Sequence, residues 1–212
     1  MRTIAIHQPA YIPWLGYFEK IQKSDIFVIL DTVQFSKNSF DNRNLVSLNG
    51  KDKWLTVPVK TSKKFKKNSF QELEILQNNW QKSHWGIINE SYGKSPFFDE
   101  FADDLEKFYK KKWVYFLDLA WQMLGFLLKK LEINTKIIMA SSLDIKSSRS
   151  QMLLDICKSL KAKKYYSGIG AKDYLDESIF KKSNILVEYQ KYQPSSKYSI
   201  IHNLFMYGAK LL

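Results

Sequence analysis

The sequence of 212 residues has one cysteine, three arginines and no long uninterrupted hydrophobic run. A single cysteine excludes an internal disulfide and a zinc site built from several thiolates. Cys157 lies within the apolar pattern of MLLDICKSL, which predicts an ordinary core thiol. The longest apolar stretch, residues 113–128, is interrupted by Asp118 and Gln122 and is shorter than the roughly 20 residues that cross a bilayer. It predicts a buried helix, and no membrane insertion is expected.

The sequence also lacks several signals that would assign a compartment or a reaction. Its N-terminus shows neither the apolar segment nor the small-residue cleavage site of a secretory signal, so a cytoplasmic protein is expected. No HExxH, GxSxG, Walker or zinc-finger spacing occurs. His84 and His202 lie in helical patterns and are predicted to be core or surface residues, so no metal site is expected.

The net charge of +12 comes almost entirely from lysine, because arginine occurs only at positions 2, 43 and 149. Proteins that read bases and phosphates depend on the planar guanidinium fork, whereas excess lysine is typical of a solvated surface. The charge therefore keeps a nucleic-acid-binding module as an alternative without favouring it. The densest lysine run, residues 60–68, predicts a mobile loop that could touch an anionic ligand.

The order of apolar segments predicts an α/β protein. Strand patterns at residues 3–6 and 26–30 enclose a helical pattern at 14–23, and strand and helix alternate again after residue 136. The Asn49-Gly50 pair lies between two alternating segments, which is the signature of a β-hairpin. We expect a single domain, residues 1–212, with a mostly parallel Rossmann-like sheet, helices on both of its faces, the hairpin, and a helical insertion at about 80–131.

Ligands of open parallel sheets bind beyond the carboxyl ends of the strands, which directs attention to the first strand-to-helix loop. His7 and Gln8 follow the first strand directly, and Gly16 lies near the start of the first helix. Pro9 and Pro13 stiffen the loop between them. Three aromatic residues in this region would supply flat surfaces: Tyr11, Trp14 and Tyr17.

A second group of polar residues follows the second strand. Asp31 stands at its end, where a general base, an amine anchor or a metal ligand would be placed, although Asp31 could equally cap the next turn. The loop beyond it is rich in amides, which suits sugar hydroxyls or phosphate, and a merely solvated loop is the alternative. Its candidate binding residues are Gln34, Lys37, Asn42, Arg43 and Asn44.

Two later segments also follow strands and complete the predicted crevice. Ser148 and Arg149 open a helix, where a hydroxyl, the backbone N–H groups and a guanidinium would converge on a phosphate. An ordinary helix N-cap is the alternative. Ser167, Gly168 and Gly170 follow another strand and would give close backbone approach and conformational freedom. The full dinucleotide-binding fingerprint is absent from this segment.

The N-terminal stretch IHQPAYIPWLGYFEKI, with DTVQF and NRN downstream, resembles the signature of the WbqC-like family, HQPxYLPWLGYFxKI followed by D-x-VQF and NRN. The likeness continues through LTVPV, WQKSHW, RSQMLLDIC, YYSGIGAKDYLDE and the C-terminal helix, so it covers nearly the whole chain. One departure is His202, which stands where the family usually has an acidic residue.

This resemblance implies a role in O-antigen and other surface-polysaccharide biosynthesis, with transfer of glycine or a similar aminoacyl group onto an amino sugar. The implied partners are a nucleotide-linked amino sugar and an aminoacyl donor, which is an adenylate, a carrier thioester or an aminoacyl-tRNA. The strand, His7 and the following helix are also similar to HxGH nucleotidylyltransferases and class I synthetases, although the second histidine of HxGH is missing. ATP is therefore the candidate cofactor, and an ATP-dependent nucleotidylyltransferase or ligase-like enzyme is an alternative.

In the transferase hypothesis the attacking amine must lose a proton, and His7 is the candidate base because imidazole titrates near neutral pH. Asp31 would orient the imidazole or the ammonium. The amides and arginines would bind sugar and phosphate oxygens, and the aromatic rings would stack on a base or sugar. A non-catalytic sugar-nucleotide-binding protein is a further alternative, and the oligomeric state stays open.

Overall fold

The computed structural model of the chain describes residues 1–61, 69–193 and 196–209. The strands of this part are β1 (Thr3–His7), β2 (Ile26–Ile29), β3 (Arg43–Leu48), β4 (Lys51–Thr56), β5 (Lys136–Met139), β6 (Lys164–Ser167) and β7 (Leu186–Tyr189). Its α-helices are α1 (Leu15–Gln22), α2 (Trp80–Tyr92), α3 (Phe98–Lys110), α4 (Phe116–Lys130), α5 (Arg149–Ser159), α6 (Glu177–Lys182) and α7 (Ile200–Tyr207). A 3-10 helix, Ile169–Asp173, follows β6.

The chain divides into two compact units. The first comprises residues 1–8, 16–32 and 133–193, and the second comprises the described parts of 9–15, 33–132 and 194–212. The helices predicted at about 80–131 are α2, α3 and α4, which belong to the second unit together with the hairpin. The single domain of residues 1–212 stays a prediction.

The first unit is built on a five-stranded parallel sheet with the order β5-β2-β1-β6-β7, which confirms the predicted α/β fold. In β1 the side chains of residues 3–6 are all buried, as expected for a central strand covered on both faces. His7 at its end pairs with Ile29 of β2, and Ala5 pairs with Tyr166 of β6.

This strand order contains a topological switch point between β1 and β6. From β1 the sheet extends outward through β2 to β5, and the chain then returns to the other side of β1 to form β6 and β7. Right-handed crossovers on the two sides of such a point leave a crevice at the carboxyl ends of the two strands, where α/β proteins bind their ligands. His7, at the end of β1, lies at this switch point.

The second unit contains the predicted hairpin and a helical core. Asn49 and Gly50 both have positive φ, 52° and 77°, as the two-residue turn between β3 and β4 requires. Tyr11, fully buried, donates or accepts hydrogen bonds with His84 at 2.9 Å and Tyr109 at 2.6 Å.

Among the described residues, no helix combines the length and apolar character that a membrane span needs.

Two smaller predictions are met, and one falls outside the structure. The apolar stretch at 113–128 forms most of α4, and its apolar side chains are largely buried. Cys157 is fully buried, and this burial raises its pKa to about 12, so it is an unreactive core thiol. The lysine-rich run at 60–68 lies outside the described residues from position 62 onward.

Candidate functional site

A cavity of about 390 Å³ lies at the switch point of the first unit, between the ends of β1 and β6. The ends of these strands contribute to it together with α1, α5 and the 3-10 helix after β6. Six of the residues predicted from the sequence line this one cavity: His7, Gln8, Arg149, Ser167, Gly168 and Gly170. The predicted crevice is therefore present, although its walls differ in part from the expected set.

His7 is partly buried and held in a fixed orientation. Its ring meets the edge of Tyr17 at 4.8 Å between centroids, and its Nδ1 lies 3.2 Å from the Gln8 carbonyl oxygen. Because a carbonyl only accepts, this contact protonates Nδ1 in the neutral ring and leaves the Nε2 lone pair available. The Tyr17 hydroxyl donates to the same carbonyl at 3.2 Å. Tyr17 thus positions His7 and offers no free face for stacking.

The environment makes His7 a neutral imidazole. Burial of the ring is the larger cause and the charge of Lys20 the second, and together they lower the pKa of His7 to about 3. The hydrogen bond with the Gln8 carbonyl opposes this change without outweighing it. The near-neutral pKa expected from the sequence is therefore wrong for this position, because desolvation penalises the imidazolium.

Lys20 is the site residue that the sequence did not reveal. Only 3% of it is exposed; Lys20 lines the cavity, and its Nζ donates to the Ile6 carbonyl oxygen at 3.1 Å. Burial lowers the pKa of Lys20 to about 8, although the neighbouring Glu19 carboxylate raises it in part. Glu19 itself pairs with Lys23 at 2.9 Å.

Arg149 brings a second cation to the cavity from the start of α5. Its backbone has φ of 54°, a left-handed conformation that is unfavourable for a residue with a Cβ. Such strain is concentrated at functional sites. Ser148, the N-cap residue, makes no side-chain capping bond and does not line the cavity. Of the two residues expected at a phosphate site here, only Arg149 therefore reaches the cavity.

The wall after β6 is formed largely by backbone. Ser167 is buried, and its hydroxyl makes no hydrogen bond of good geometry among the described residues. It lies close enough to Tyr165 to offset part of the rise in the pKa of Tyr165 that burial causes. Gly168 has an ordinary φ of −67°, and Gly170 lacks a positive φ as well. The expected conformational freedom is not used. A Cβ on Gly168 would make an ordinary contact with Lys20 Nζ at 3.8 Å, and one on Gly170 would meet no atom within 4 Å, so neither glycine is required for space.

The rest of the lining is apolar and aromatic. It comprises Ile6, Leu30, Met152, Leu153, Tyr165, Ala171 and Tyr174. Tyr174 is 71% exposed, so its ring offers a free face beside the cavity. A site with two cations on a partly apolar wall suits an organic anion such as a nucleotide.

Asp31 shares the edge of the sheet with His7 but serves a different purpose. The N–H of Leu30 donates to the His7 carbonyl at 2.8 Å, which fixes the end of β2 beside β1. The Asp31 carboxylate is 1% exposed and accepts from the N–H of Ser141, after β5, at 3.0 Å. It is absent from the cavity lining, and His7 Nδ1 contacts a carbonyl instead. Its Oδ1 thus holds the backbone that follows β5, and a role of Asp31 in orienting the imidazole stays a prediction.

Gly16 also has a structural role in the first unit. Its carbonyl accepts from Gln190 Nε2 at 2.7 Å, and the same amide donates to Glu19 at 2.6 Å. Tyr166 donates to Glu19 at 2.9 Å, so this buried network joins α1 to the ends of β6 and β7. Gly16 does not line the cavity.

The other predicted binding residues belong to the second unit: Tyr11, Trp14, Gln34, Lys37, Asn42, Arg43 and Asn44. Tyr11 is fully buried, so it packs within the unit instead of presenting a flat surface. Trp14 forms a β-bridge with Ser199, and Gln34 forms one with Ser69. Lys37 is exposed.

Arg43 is already engaged within its own unit. Its guanidinium lies 4.4 Å from the centre of the Trp54 ring, and Nη2 donates to the Asn38 carbonyl at 2.7 Å. Its Nε is buried without a hydrogen-bond partner among the described residues. Phosphate binding by Arg43 stays a prediction, and it would compete with the contact to Trp54.

Asn42 and Asn44 use their amides to hold backbone. Asn42 Nδ2 donates to the Val57 carbonyl at 2.8 Å. Asn44 Nδ2 donates to the Ile12 carbonyl at 2.9 Å, and its Oδ1 accepts from the N–H of Leu45 at 2.8 Å. Ile12 has φ of 40°, a strained conformation for a β-branched residue. These contacts correct the assignment of both asparagines to sugar binding, since burial and backbone bonding occupy their amides.

Asn44→Ala is accordingly expected to lower the free energy of unfolding by about 1 to 3 kcal/mol, because it leaves a buried carbonyl and a buried N–H without partners. Chemical denaturation measures this loss. Asn89→Ala is the matched control, because the Asn89 amide is exposed and bonds only within its own helix. An Asn44→Ala protein that keeps full stability and loses ligand affinity would restore the binding role.

Comparison with known proteins identifies the relatives of this chain. A family model described as the WbqC-like protein family matches residues 8–209. The uncharacterized protein Rv1507c of Mycobacterium tuberculosis is 30% identical over 222 residues, which cover 99% of this chain and 96% of that protein. No solved structure matches the chain at a significant level. The chain belongs to the WbqC-like protein family, which is linked to O-antigen biosynthesis.

Proposed function

We propose that the protein transfers glycine or a similar aminoacyl group to the amino group of a nucleotide-linked amino sugar in surface-polysaccharide biosynthesis. The observation that carries the proposal is the switch-point cavity, where His7 lies beside two cations, Lys20 and Arg149. A phosphorylated substrate fits the cations, and a neutral imidazole fits an attacking amine. The family's link to O-antigen biosynthesis supports this class of substrate.

The reaction forms one bond and breaks one. The neutral amine of the sugar attacks the carbonyl carbon of the aminoacyl donor, and a C–N bond forms. The bond from that carbon to the leaving group breaks, which releases the phosphate of an adenylate, the sulfur of a thioester or the ribose oxygen of a tRNA. Nε2 of His7 accepts the proton that the nitrogen loses.

A neutral His7 suits this role in spite of its low basicity. An imidazolium could not accept a proton, and burial keeps the ring neutral because it lowers the pKa of His7 to about 3. The amine becomes strongly acidic only as the C–N bond forms, so a weak base can remove its proton late in the reaction. A phosphate beside Lys20 would offset the charge that helps to lower the pKa of His7, so bound substrate would strengthen the base.

An adenylation step in the same cavity is a second candidate function. The strand order places His7 at the switch point between β1 and β6, where a nucleotide such as ATP would bind. The protein would then activate the amino acid itself and release diphosphate. Diphosphate release that requires ATP and free glycine, in the absence of any preformed donor, would favour this function.

The direct test is transfer of radiolabelled glycine to a nucleotide-linked amino sugar. Purified protein is incubated with glycyl-adenylate, glycyl thioester or glycyl-tRNA, and the sugar product is separated by chromatography. The control is the same nucleotide sugar with its amine acetylated, which has no nucleophile. Label in the free-amine product alone supports the proposal. Nucleotide-sugar binding without transfer from any donor would leave a non-catalytic binding protein, and steeply salt-dependent RNA binding independent of His7 would favour the nucleic-acid alternative.

Arg149→Lys is expected to weaken nucleotide-sugar binding about 10-fold, because lysine cannot donate two parallel N–H groups to a phosphate. Both residues carry a Cβ, so the left-handed backbone at this position is strained to the same degree. Calorimetry measures the affinity. The matched control is Arg2→Lys, since the Arg2 guanidinium donates to the Leu160 carbonyl at an exposed position. Unchanged affinity for Arg149→Lys would remove Arg149 from the site.

A further inference from the structure

The cavity carries two positive side chains and no negative one. Its lining includes Lys20 and Arg149 and contains no aspartate or glutamate. Among the described residues neither cation forms a salt bridge, since the neighbouring Glu19 pairs with Lys23. The Glu19 carboxylate offsets only part of the cost of burying the Lys20 ammonium, so a bound anion would relieve the rest.

Lys20 lines the cavity, and the end of β1 holds its ammonium. One of its N–H groups donates to the Ile6 carbonyl at 3.1 Å, which leaves two for a ligand. Gly168, another lining residue, lies beside the same ammonium, since a Cβ built on it would be 3.8 Å from Lys20 Nζ. Arg149 is exposed, so solvent screens its charge more strongly than that of the buried Lys20. Lys20 should therefore attract a bound anion more strongly than Arg149 does.

We infer that the Lys20 ammonium is the primary binding group for the phosphoryl part of the ligand, and that ligand binding is coupled to proton uptake by Lys20. Two cations match the two or more negative charges of a phosphate ester or diphosphate better than the single charge of a carboxylate. The identification of the phosphoryl group with a nucleotide-linked sugar rests on the proposed function. The inference about Lys20 does not.

The proton coupling follows from the buried position of Lys20. Burial lowers the pKa of Lys20 to about 8, so roughly half of the molecules carry the proton at that pH. A bound phosphoryl group favours the charged form and draws in the missing proton. The titratable or charged groups that face Lys20 or line its cavity are His7, Glu19, Arg149, Tyr165 and Tyr174. Burial shifts the pKa of two of these groups away from pH 8. It lowers the pKa of His7 to about 3, so His7 is neutral at pH 8, and it raises the pKa of Tyr165, so Tyr165 keeps its proton.

Calorimetry with simple probes tests this inference without any aminoacyl donor. Uridine diphosphate, ATP and inorganic diphosphate are titrated at pH 8 in two buffers of different ionisation enthalpy, and uridine and adenosine serve as uncharged controls. The wild type is expected to take up about half a proton per bound anion. Lys20→Met should bind the anions roughly 10- to 150-fold more weakly and take up no proton.

Two further variants distinguish the effect of the charge at position 20 from the effect of proton uptake and from a general effect of replacing a lysine. Lys20→Arg keeps a permanent charge, so it should retain more affinity than Lys20→Met while losing the proton uptake. Lys158→Met, at an exposed position of α5 in the same unit, should match the wild type in both measurements. Thermal unfolding of each variant shows that it is folded under the conditions of the titration.

Each outcome decides the inference. A folded Lys20→Met protein that binds the anions within about 3-fold of the wild type overturns it. So does a wild type that binds none of the anionic probes, or one that binds them without proton uptake. Lys20-dependent anion binding with no aminoacyl transfer supports the inference and defeats the proposed function alone. Transfer that proceeds equally well in Lys20→Met defeats the inference alone.

Discussion

Replacing His7 by asparagine is expected to lower kcat for aminoacyl transfer by about 10²- to 10⁴-fold, or roughly 3 to 5 kcal/mol of transition-state stabilisation. An asparagine amide can still donate to the Gln8 carbonyl, as Nδ1 of His7 does at 3.2 Å. It has no counterpart of Nε2, so the attacking amine loses its proton acceptor. Affinity for the nucleotide sugar should change little, because Lys20 and Arg149 remain in place.

Initial rates and calorimetry on the same preparations measure these two effects separately. His202→Asn is the matched control, since it makes the same exchange at a half-buried histidine of the second unit that contacts Tyr92. His7 is neutral above its pKa of about 3, so it contributes no loss of rate between about pH 5 and 8 in the empty enzyme. An acid limb in that range would show that bound substrate raises the pKa of His7. Full turnover by His7→Asn would make His7 a structural residue.

Much of the fold was predictable because it rests on local patterns. The buried strand β1 reads as a short run of β-branched and apolar residues, and the hairpin follows from Asn49-Gly50. The long apolar segment at 113–128 was likewise predictable as a buried helix from its own composition, and it forms most of α4. The strand order β5-β2-β1-β6-β7 depends on contacts between segments far apart in the chain, which a single sequence does not encode locally.

The candidate site was predictable where it depends on strand ends. His7, Gln8 and Ser167 were placed together because parallel strands end at one edge of the sheet. Lys20 was missed because a lysine in a helix ordinarily faces solvent. One signal was available: LGYFEKI has apolar residues on all sides of a short helix, so its charged residues must be buried as well.

The polar loop of the second unit shows the opposite error. Asn44 and Tyr11 have the chemistry of ligand-binding residues, and in the structure they bond to the Ile12 carbonyl and to His84. An amide that holds a strained backbone and an amide that holds a sugar have the same letter in a sequence. Only the partner distinguishes them, and the partner lies 32 residues from Asn44 and 73 from Tyr11.

Lys20→Met is expected to make the ligand-free protein more stable, which is the reverse of the usual effect of a core substitution. The pKa of Lys20 falls from 10.5 to about 8 on burial, so at pH 7 its charge costs roughly 3 kcal/mol of folding free energy. Methionine removes this cost and fills similar space. Loss of the bond to the Ile6 carbonyl offsets about 1 kcal/mol of the gain. A net rise of about 2 kcal/mol would raise the Tm of the protein by roughly 4 to 8 °C.

The pH dependence identifies the cause of that gain. Below pH 8 Lys20 is charged in both the folded and the unfolded state, and the full cost is present. Between pH 8 and 10.5 the folded state loses its proton first, so the wild type gains stability as the pH rises through this range. Lys20→Met should lack this rise, and the difference between the two proteins should shrink toward pH 10.5. Lys158→Met, which replaces an exposed lysine of α5, should behave as the wild type at every pH. A Lys20→Met protein less stable than the wild type at pH 7 would mean that the ammonium serves the fold, whereas the expected gain means that the fold tolerates an unfavourable charge that only a bound anion relieves.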